Sequence, residues 1–283
     1  EKTMTHYSLL VGSSGGGLSA TSFVELNSGS STFTVPEGYN AIHIQFAVGG
    51  GGGAFRGASY DKAGGESAGA GGGSGGYISD KILTVTSEET ITYSIGSGGA
   101  ANNNQATRYN GSASAGTNTT LSGSSTGSLF TLNSGGGASA SGGGVQGPLR
   151  SNTAGTAGSA TISGTAITSG IFSDTDNSVK NVNTNTSGPT STFNDSGNGV
   201  AGDNNGNCGG DNCQIGGSDG ADSYAGTVLG GVGSPVGGTA GGSAGTRGSG
   251  GGGGGAQYSV EEIAGHGAGG GNGEIKYRFL QVI

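Results

Sequence analysis

The 283-residue chain carries 70 glycines, 10 Lys plus Arg and 18 Asp plus Glu, for a net charge of −8. So few cations, none of them clustered, exclude nucleic acid as the expected partner, and with no run of eighteen apolar residues nothing reads as membrane-inserted. Only 11 Leu, 13 Ile, 14 Val and 8 Phe are present. That supply is low enough to suggest a disordered Gly/Ser linker, but disorder also calls for high charge, which is missing, and linkers do not carry apolar strands from end to end.

The N-terminal part offers YSLLV (Tyr7 to Val11), SFVEL (Ser22 to Leu26) and STFTV (Ser31 to Val35), separated by Gly/Ser/Asn turns and expected as short antiparallel strands. No charged-then-apolar leader precedes them; were Met4 the native start, export would proceed by lysis or a dedicated secretion route. Pro36-Glu37-Gly38 marks a turn. Ile42, Ile44, Phe46 and Val48 then alternate with His43, Gln45 and Ala47, the period of a strand with one buried face, which sets His43 on the solvated side. That strand runs directly into GGGGGAFRGASYDKAGGESAGAGGGSGG, which has almost nothing to bury.

After Gly76, Tyr77 to Val85 and the alternating Ile91, Tyr93 and Ile95 are expected as two strands joined by a hairpin turn at Ser87-Glu88-Glu89. Ser128 to Leu132 and Ser159 to Thr168 are further strand candidates, flanking a second glycine island at 135–144. Between 173 and 222, Asn, Asp, Ser and Thr dominate, residues that favour turns over ladders, so a long surface insertion is expected there. The chain closes on Ile275, Tyr277 and Phe279 alternating with Glu274, Lys276 and Arg278, a strand with charged outward residues that must pair with earlier strands.

Within the third glycine tract, 230–255, Gly242, Gly245, Gly248, Gly251 and Gly254 fall every third residue. Three residues per turn is the polyproline II repeat, which has no internal hydrogen bonds and is stable only if its N–H and C=O groups pair with neighbouring helices. Glycine permits that close approach. With 4 prolines and no sustained Gly-X-Y repeat, collagen is excluded. The expected interior is therefore a bundle of such helices, built from backbone rather than from side chains.

The segments FTVPEGYNAIHIQFAVGGGGG, GGGSGGYISDKILTVTSEETITYSIGSGG and GGGGGGAQYSVEEIAGHGAGGGNGEIKYRFLQVI, in this order, resemble the glycine-rich domain found in bacteriophage tail-fibre and other virion proteins and in some bacterial surface proteins. The resemblance covers most of the chain except the Asn/Asp-rich insertion and the first thirty or so residues. It implies an all-β fold: an antiparallel, jelly-roll-like β-sandwich from whose loops glycine tracts extend as packed polyproline II helices. The corresponding division is 1–48 as N-terminal strands, 49–172 as glycine tracts alternating with strands, 173–222 as the insertion, and 223–283 as the last tract and closing strand.

Catalytic motifs are not supported. GGSGG at 72–76 and GSSTG at 123–127 fit G-x-S-x-G, but neither joins a buried parallel strand to a helix, and no G-x-G-x-x-G match opens a helix. His266 reads as a turn residue. Cys208 and Cys213, in NCGGDNC, lack the partners of a zinc site and are read as a small disulfide, with two free thiols as the alternative. Asp203, Asp211, Asp219 and Asp222 offer hard oxygens for calcium, yet the EF-hand spacing is absent and solvated turn residues are preferred; no cofactor or metal is assigned.

Phe55, Tyr60, Tyr109, Phe193 and Tyr224 interrupt polar loops, where a ring either stacks on a sugar or fills a receptor pocket, or else packs back over its own loop. Together these features lead to the expectation of a non-enzymatic, extracellular virion appendage, a tail fibre or fibre-tip adhesin. Its partners would be a host-cell surface receptor or glycan and either further copies of itself or another virion fibre protein. A structural subunit of a secreted cell-surface filament, assembling through strands such as 274–283, is the competing expectation.

Overall fold

The structure, a computed structural model, describes residues 18–56, 58–59, 66–67, 69–104, 111–141, 151–173, 179–181, 195–197, 207–208, 214–215, 220–222, 230–233, 245–253, 256–257 and 265–283. The strand expected at Tyr7 to Val11 lies outside them. Among the described residues there is no helix, and every strand pairing is antiparallel.

Ten strands form two five-stranded sheets: β1 (Val24–Leu26), β2 (Ser30–Thr34), β3 (Ala41–Val48), β4 (Tyr77–Thr84), β5 (Thr90–Ser94), β6 (Thr119–Gly123), β7 (Gly127–Leu132), β8 (Ala160–Ile162), β9 (Asp195–Gly197) and β10 (Glu274–Leu280). The first sheet has the order β1-β10-β3-β4-β9 and the second β8-β7-β6-β5-β2; neither closes into a barrel. β4 and β5 therefore belong to different sheets. The turn at Ser87 and Glu88, expected to close a hairpin, instead carries the chain across the core. The closing strand pairs with β3 along its length and with β1 at Ile275–Tyr277, so the first and last of these ten strands are neighbours in one sheet.

One apolar core lies between the sheets. Ile42, Ile44, Ile78, Leu83, Ile275, Tyr277 and Phe279 of the first sheet meet Phe33, Ile91, Leu121, Phe130 and Leu132 of the second. At its centre, Phe33 stacks on Tyr277 with ring centroids 4.7 Å apart, an offset pairing that adds about 0.5–1.5 kcal/mol to the burial itself.

The alternation along β3 does not continue to its end. Opposite β10, the pairing steps from Ile44↔Tyr277 to Phe46↔Lys276, leaving Gln45 as an extra residue, a β-bulge. In β4 the backbone of Asp80 answers with a positive φ of 48°. Beyond this point the faces exchange: Ala47 joins the core, while Phe46 turns outward.

At one end of the sheets, strands pass directly into glycine tracts. β3 leads into 49–55, β5 into 96–102 and β7 into 133–138, whereas 69–76 enters β4, 113–118 enters β6 and 265–273 enters β10. The bonding of the first tract repeats every three residues. The N–H groups of Gly49, Gly52 and Phe55 donate to the carbonyls of Gly76, Gly73 and Ala70; those of Gly50 and Gly53 to Thr117 and Ser114; those of Gly51 and Ala54 to Gly271 and Ala268.

Its carbonyls are used in the same rhythm. Gly50 and Gly53 accept from Gly135 and Ala138, Gly51 and Ala54 from Gly99 and Asn102, and Gly52 from Gly251. The central tract thus has six neighbours, and these also bond to one another in a closed ring: 69–76 to 133–138 to 113–117 to 96–102 to 265–273 to 248–252, and back to 69–76. Backbone groups that water would otherwise satisfy are paired inside the protein, so this half needs no aliphatic core. A side chain is excluded at the contacts: a Cβ on Gly51 would stand 1.9 Å from the Ser249 carbonyl oxygen.

Candidate functional site on the outer face of the first sheet

Few ionisable groups are available in this chain, yet several collect on the face of the first sheet turned away from the shared core. His43 on β3, Asp80 on β4 and Arg278 on β10 come from three neighbouring strands. Arg278 Nε donates to His43 Nδ1 at 3.1 Å, and His43 Nε2 lies 3.3 Å from Asp80 Oδ1. Because the guanidinium can only donate, Nδ1 is the acceptor and the imidazole proton sits on Nε2, facing the carboxylate.

His43 is 2% exposed and Arg278 3%, so the expectation of a solvated His43 and an outward Arg278 is corrected. β3 and β10 lie inside the sheet, and a second apolar layer covers their outer side. The Phe23 ring centroid is 4.5 Å from the Arg278 guanidinium carbon and 5.5 Å from the His43 ring; Phe172 lies 5.8 Å from the same guanidinium. Phe172 in turn packs with Ala41, Ile82, Leu280 and Val282. Both imidazole nitrogens are engaged, which leaves no lone pair to take a proton from a substrate. The group is suited to holding three strands together rather than to acid–base chemistry.

A second charged group sits where this sheet joins the glycine tracts. Glu274, the first residue of β10, is 3% exposed, again contrary to the outward placement expected of it. Its Oε2 is 3.2 Å from Arg247 Nε, and its Oε1 is buried without a hydrogen-bond partner. Burial, followed by the hydrogen bond and charge of Glu25, pushes its carboxyl up to about 7 against the pull of Arg247 and Lys276. Arg247, at a positive φ of 42°, also lies over the Phe46 ring at 5.6 Å.

Of the aromatic residues expected to make contacts, Phe55 is described, and it is fully buried. It packs among Ala70, Ala138 and Ala140 at the outer end of the tracts, filling the lattice rather than facing a receptor. Tyr60, Tyr109, Phe193 and Tyr224 lie outside the described residues, as does Cys213. Cys208 stands in a two-residue strand opposite Glu66. Asp203, Asp211 and Asp219 are likewise outside; Asp222 Oδ1 accepts from the Gly230 N–H at 2.7 Å. Among the described residues no group of acidic, His or Cys side chains is placed to hold a metal.

Asp80, Arg247, Glu274 and Arg278 were not singled out from the sequence. The available signal was the cost of charge: in a chain this poor in ionisable residues, Asp80, Glu274 and Arg278 inside strands mark a face that is covered.

The fold and this face define an all-β protein in which side-chain packing and a backbone-bonded glycine lattice are joined end to end. The chain belongs to the glycine-rich domain family, whose pattern matches residues 24–280. No curated protein matches it.

Proposed function

We propose that the protein is a non-enzymatic, extracellular virion appendage, a tail fibre or fibre-tip adhesin, in which the glycine lattice is a rigid support for receptor-contacting loops. The observation that carries this reading is the bonding of tract 49–55 to six neighbours. Such a lattice spends sequence on stiffness. The tracts run outward from the sheets, so the chain between Arg56 and Gly69 and that between Asn104 and Gly111 start and finish at the outer ends of tracts. Those two segments contain Tyr60 and Tyr109. Loops held by a rigid scaffold are a common place for recognition, and a host-cell receptor or glycan is the partner such rings suit.

In this reading the tracts are polyproline II helices and the two sheets form a jelly-roll-like sandwich. The three-residue bonding period supports the first point, and the core shared by two antiparallel sheets supports the second. Cys208 and Cys213 close a small disulfide loop, consistent with an oxidising exterior. Assembly with further copies or with another fibre protein completes the appendage.

The test is binding of the purified protein to host cells. Tyr60→Ala combined with Tyr109→Ala is expected to abolish binding while leaving the thermal unfolding curve unchanged. Full binding by that variant overturns the loop assignment, and no binding by the parent protein to any cell type overturns the adhesin reading.

A further inference from the structure

We propose that Glu274 is a proton-operated clasp between the first sheet and the glycine lattice, exchanging a hydrogen bond to Glu25 for an ion pair with Arg247 when its carboxyl loses its proton. Two features of the geometry point to it. Glu274 Oε1 is buried and unpartnered, and Glu25 on neighbouring β1 stands opposite Lys276, which makes its side chain the diagonal neighbour of Glu274 on the same face, where the two carboxyls can meet. Two carboxylate oxygens cannot bond to each other, so that contact is made only when one of them carries a proton. The orphaned oxygen is where the proton belongs.

The second feature is the other oxygen. Glu274 Oε2 meets Arg247 Nε at 3.2 Å, and Arg247 sits in the turn 245–249 that starts one of the six tracts around 49–55. The turn is closed by Thr246 and Ser249: the Ser249 hydroxyl donates to the Thr246 carbonyl at 2.6 Å and accepts from the Thr246 N–H at 2.7 Å. It is held on two further sides, by Gly271 N–H to the Ser249 carbonyl and Gly75 N–H to the Gly248 carbonyl. The Arg247–Glu274 pair adds its tie to the sheet.

The charged groups facing Glu274 are Glu25 from β1, Arg247 from the turn and Lys276 from its own strand; its partner on β3 is Val48, which carries no charge. With the proton on, Glu274 Oε1 donates to Glu25 and the attraction for Arg247 weakens. With the proton off, Glu274 has no hydrogen to give Glu25, and it commits to the guanidinium. The turn is therefore gripped above neutral pH and eased below it, while both sheets stay intact.

The full chain, labelled with carbon-13 at the Glu carboxyls, tests this by NMR titration. Glu274 is expected to titrate near neutrality. Glu25→Gln is expected to move that midpoint downward by about a unit or more, and Arg247→Gln to move it upward. The amides of Thr246 and Ser249, corrected for intrinsic exchange, are expected to gain protection as the pH rises through the midpoint, and Arg247→Gln is expected to erase the gain. A Glu274 midpoint in the ordinary carboxylate range, a midpoint indifferent to Glu25→Gln, or protection that does not change with pH each overturns the clasp.

Discussion

Replacing Gly52 by Ala adds a single methyl group at the centre of the lattice. A Cβ there would lie 1.9 Å from the Gly136 carbonyl oxygen and 2.4 Å from its carbon, so one backbone must retreat by more than an ångström. Neither is free to do so. Gly136 O accepts from Gly73 N–H and Gly136 N–H donates to Thr156, while Gly52 N–H donates to Gly73 and Gly52 O accepts from Gly251. Separating the pair loses at least two of these bonds, at about 1 kcal/mol each, and strands buried groups at about 1–3 kcal/mol apiece. Against this stands a gain of about 0.4–1 kcal/mol from the reduced entropy of the unfolded chain. The net loss is about 3 kcal/mol or more, a large part of the usual 5–15 kcal/mol. Gly269→Ala is the control. It lies in a tract of the same ring, but its Cβ would meet only Gly99 O, at 3.3 Å, and it is expected to cost under about 1 kcal/mol. Urea denaturation of the two variants, read at the midpoint with the slope checked for constancy, decides. Equal midpoints would refute the backbone-lattice argument.

Other consequences can be measured on the same material. Glu89, 4% exposed, accepts from the Thr86, Ser125 and Thr126 N–H groups and the Thr126 hydroxyl. Burial works to raise its carboxyl and these bonds more than offset it, holding it below the usual range. Its stabilisation is therefore present above the unfolded value and lost as pH falls through the folded one, and Glu89→Gln is expected to flatten the acid limb of a stability–pH curve. Glu274 has the opposite sign: with its carboxyl raised from 4.5 to about 7, its contribution is complete below 4.5 and lost as pH rises through about 7. Glu274→Gln should remove a decline of up to about 3 kcal/mol across that window, seen as a flatter profile between pH 5 and 8. His43→Ala leaves Arg278 and Asp80 without their bridge and is expected to cost about 1–3 kcal/mol in denaturant unfolding, whereas His266→Ala, at an exposed position, should cost almost nothing.

Much of the sheet half was legible because side chains write their environment into the order of residues. Ile42 and Ile44, and Ile275, Tyr277 and Phe279, carry a period of two that only a half-buried strand uses, and both stretches lie where that period placed them. The pattern failed where backbone geometry intervened. A bulge at Gln45 swaps the faces of β3, and nothing in FAV foretells it; the positive φ at Asp80 is a tertiary response to that bulge. Charge misled for a related reason. Glu274 and Arg278 look outward in alternation with apolar residues, but alternation reports two different faces and not which of them meets water.

The glycine half presents the reverse case. Its composition announced that side chains could not hold it, and spacing by threes in 242–254 pointed to neighbours related by a three-residue turn. Which tract meets which was not readable, since polyglycine offers no side chain to encode a partner. Partnership is set instead by the strands from which each tract emerges. Phe55, the one candidate contact residue among those described, is buried against the alanines at 70, 138 and 140, where the small side chains of neighbouring tracts meet its ring.

Amide hydrogen exchange at Gly50 to Gly53 tests the central claim most directly, because these residues have no side chains and owe any protection to the backbone bonds alone. If the tract is the bonded centre of a lattice, its amides exchange as slowly as those of Ile42 and Ile44 in β3, through global unfolding. Exchange at the rate of an unstructured peptide, with β3 still protected, would contradict the account.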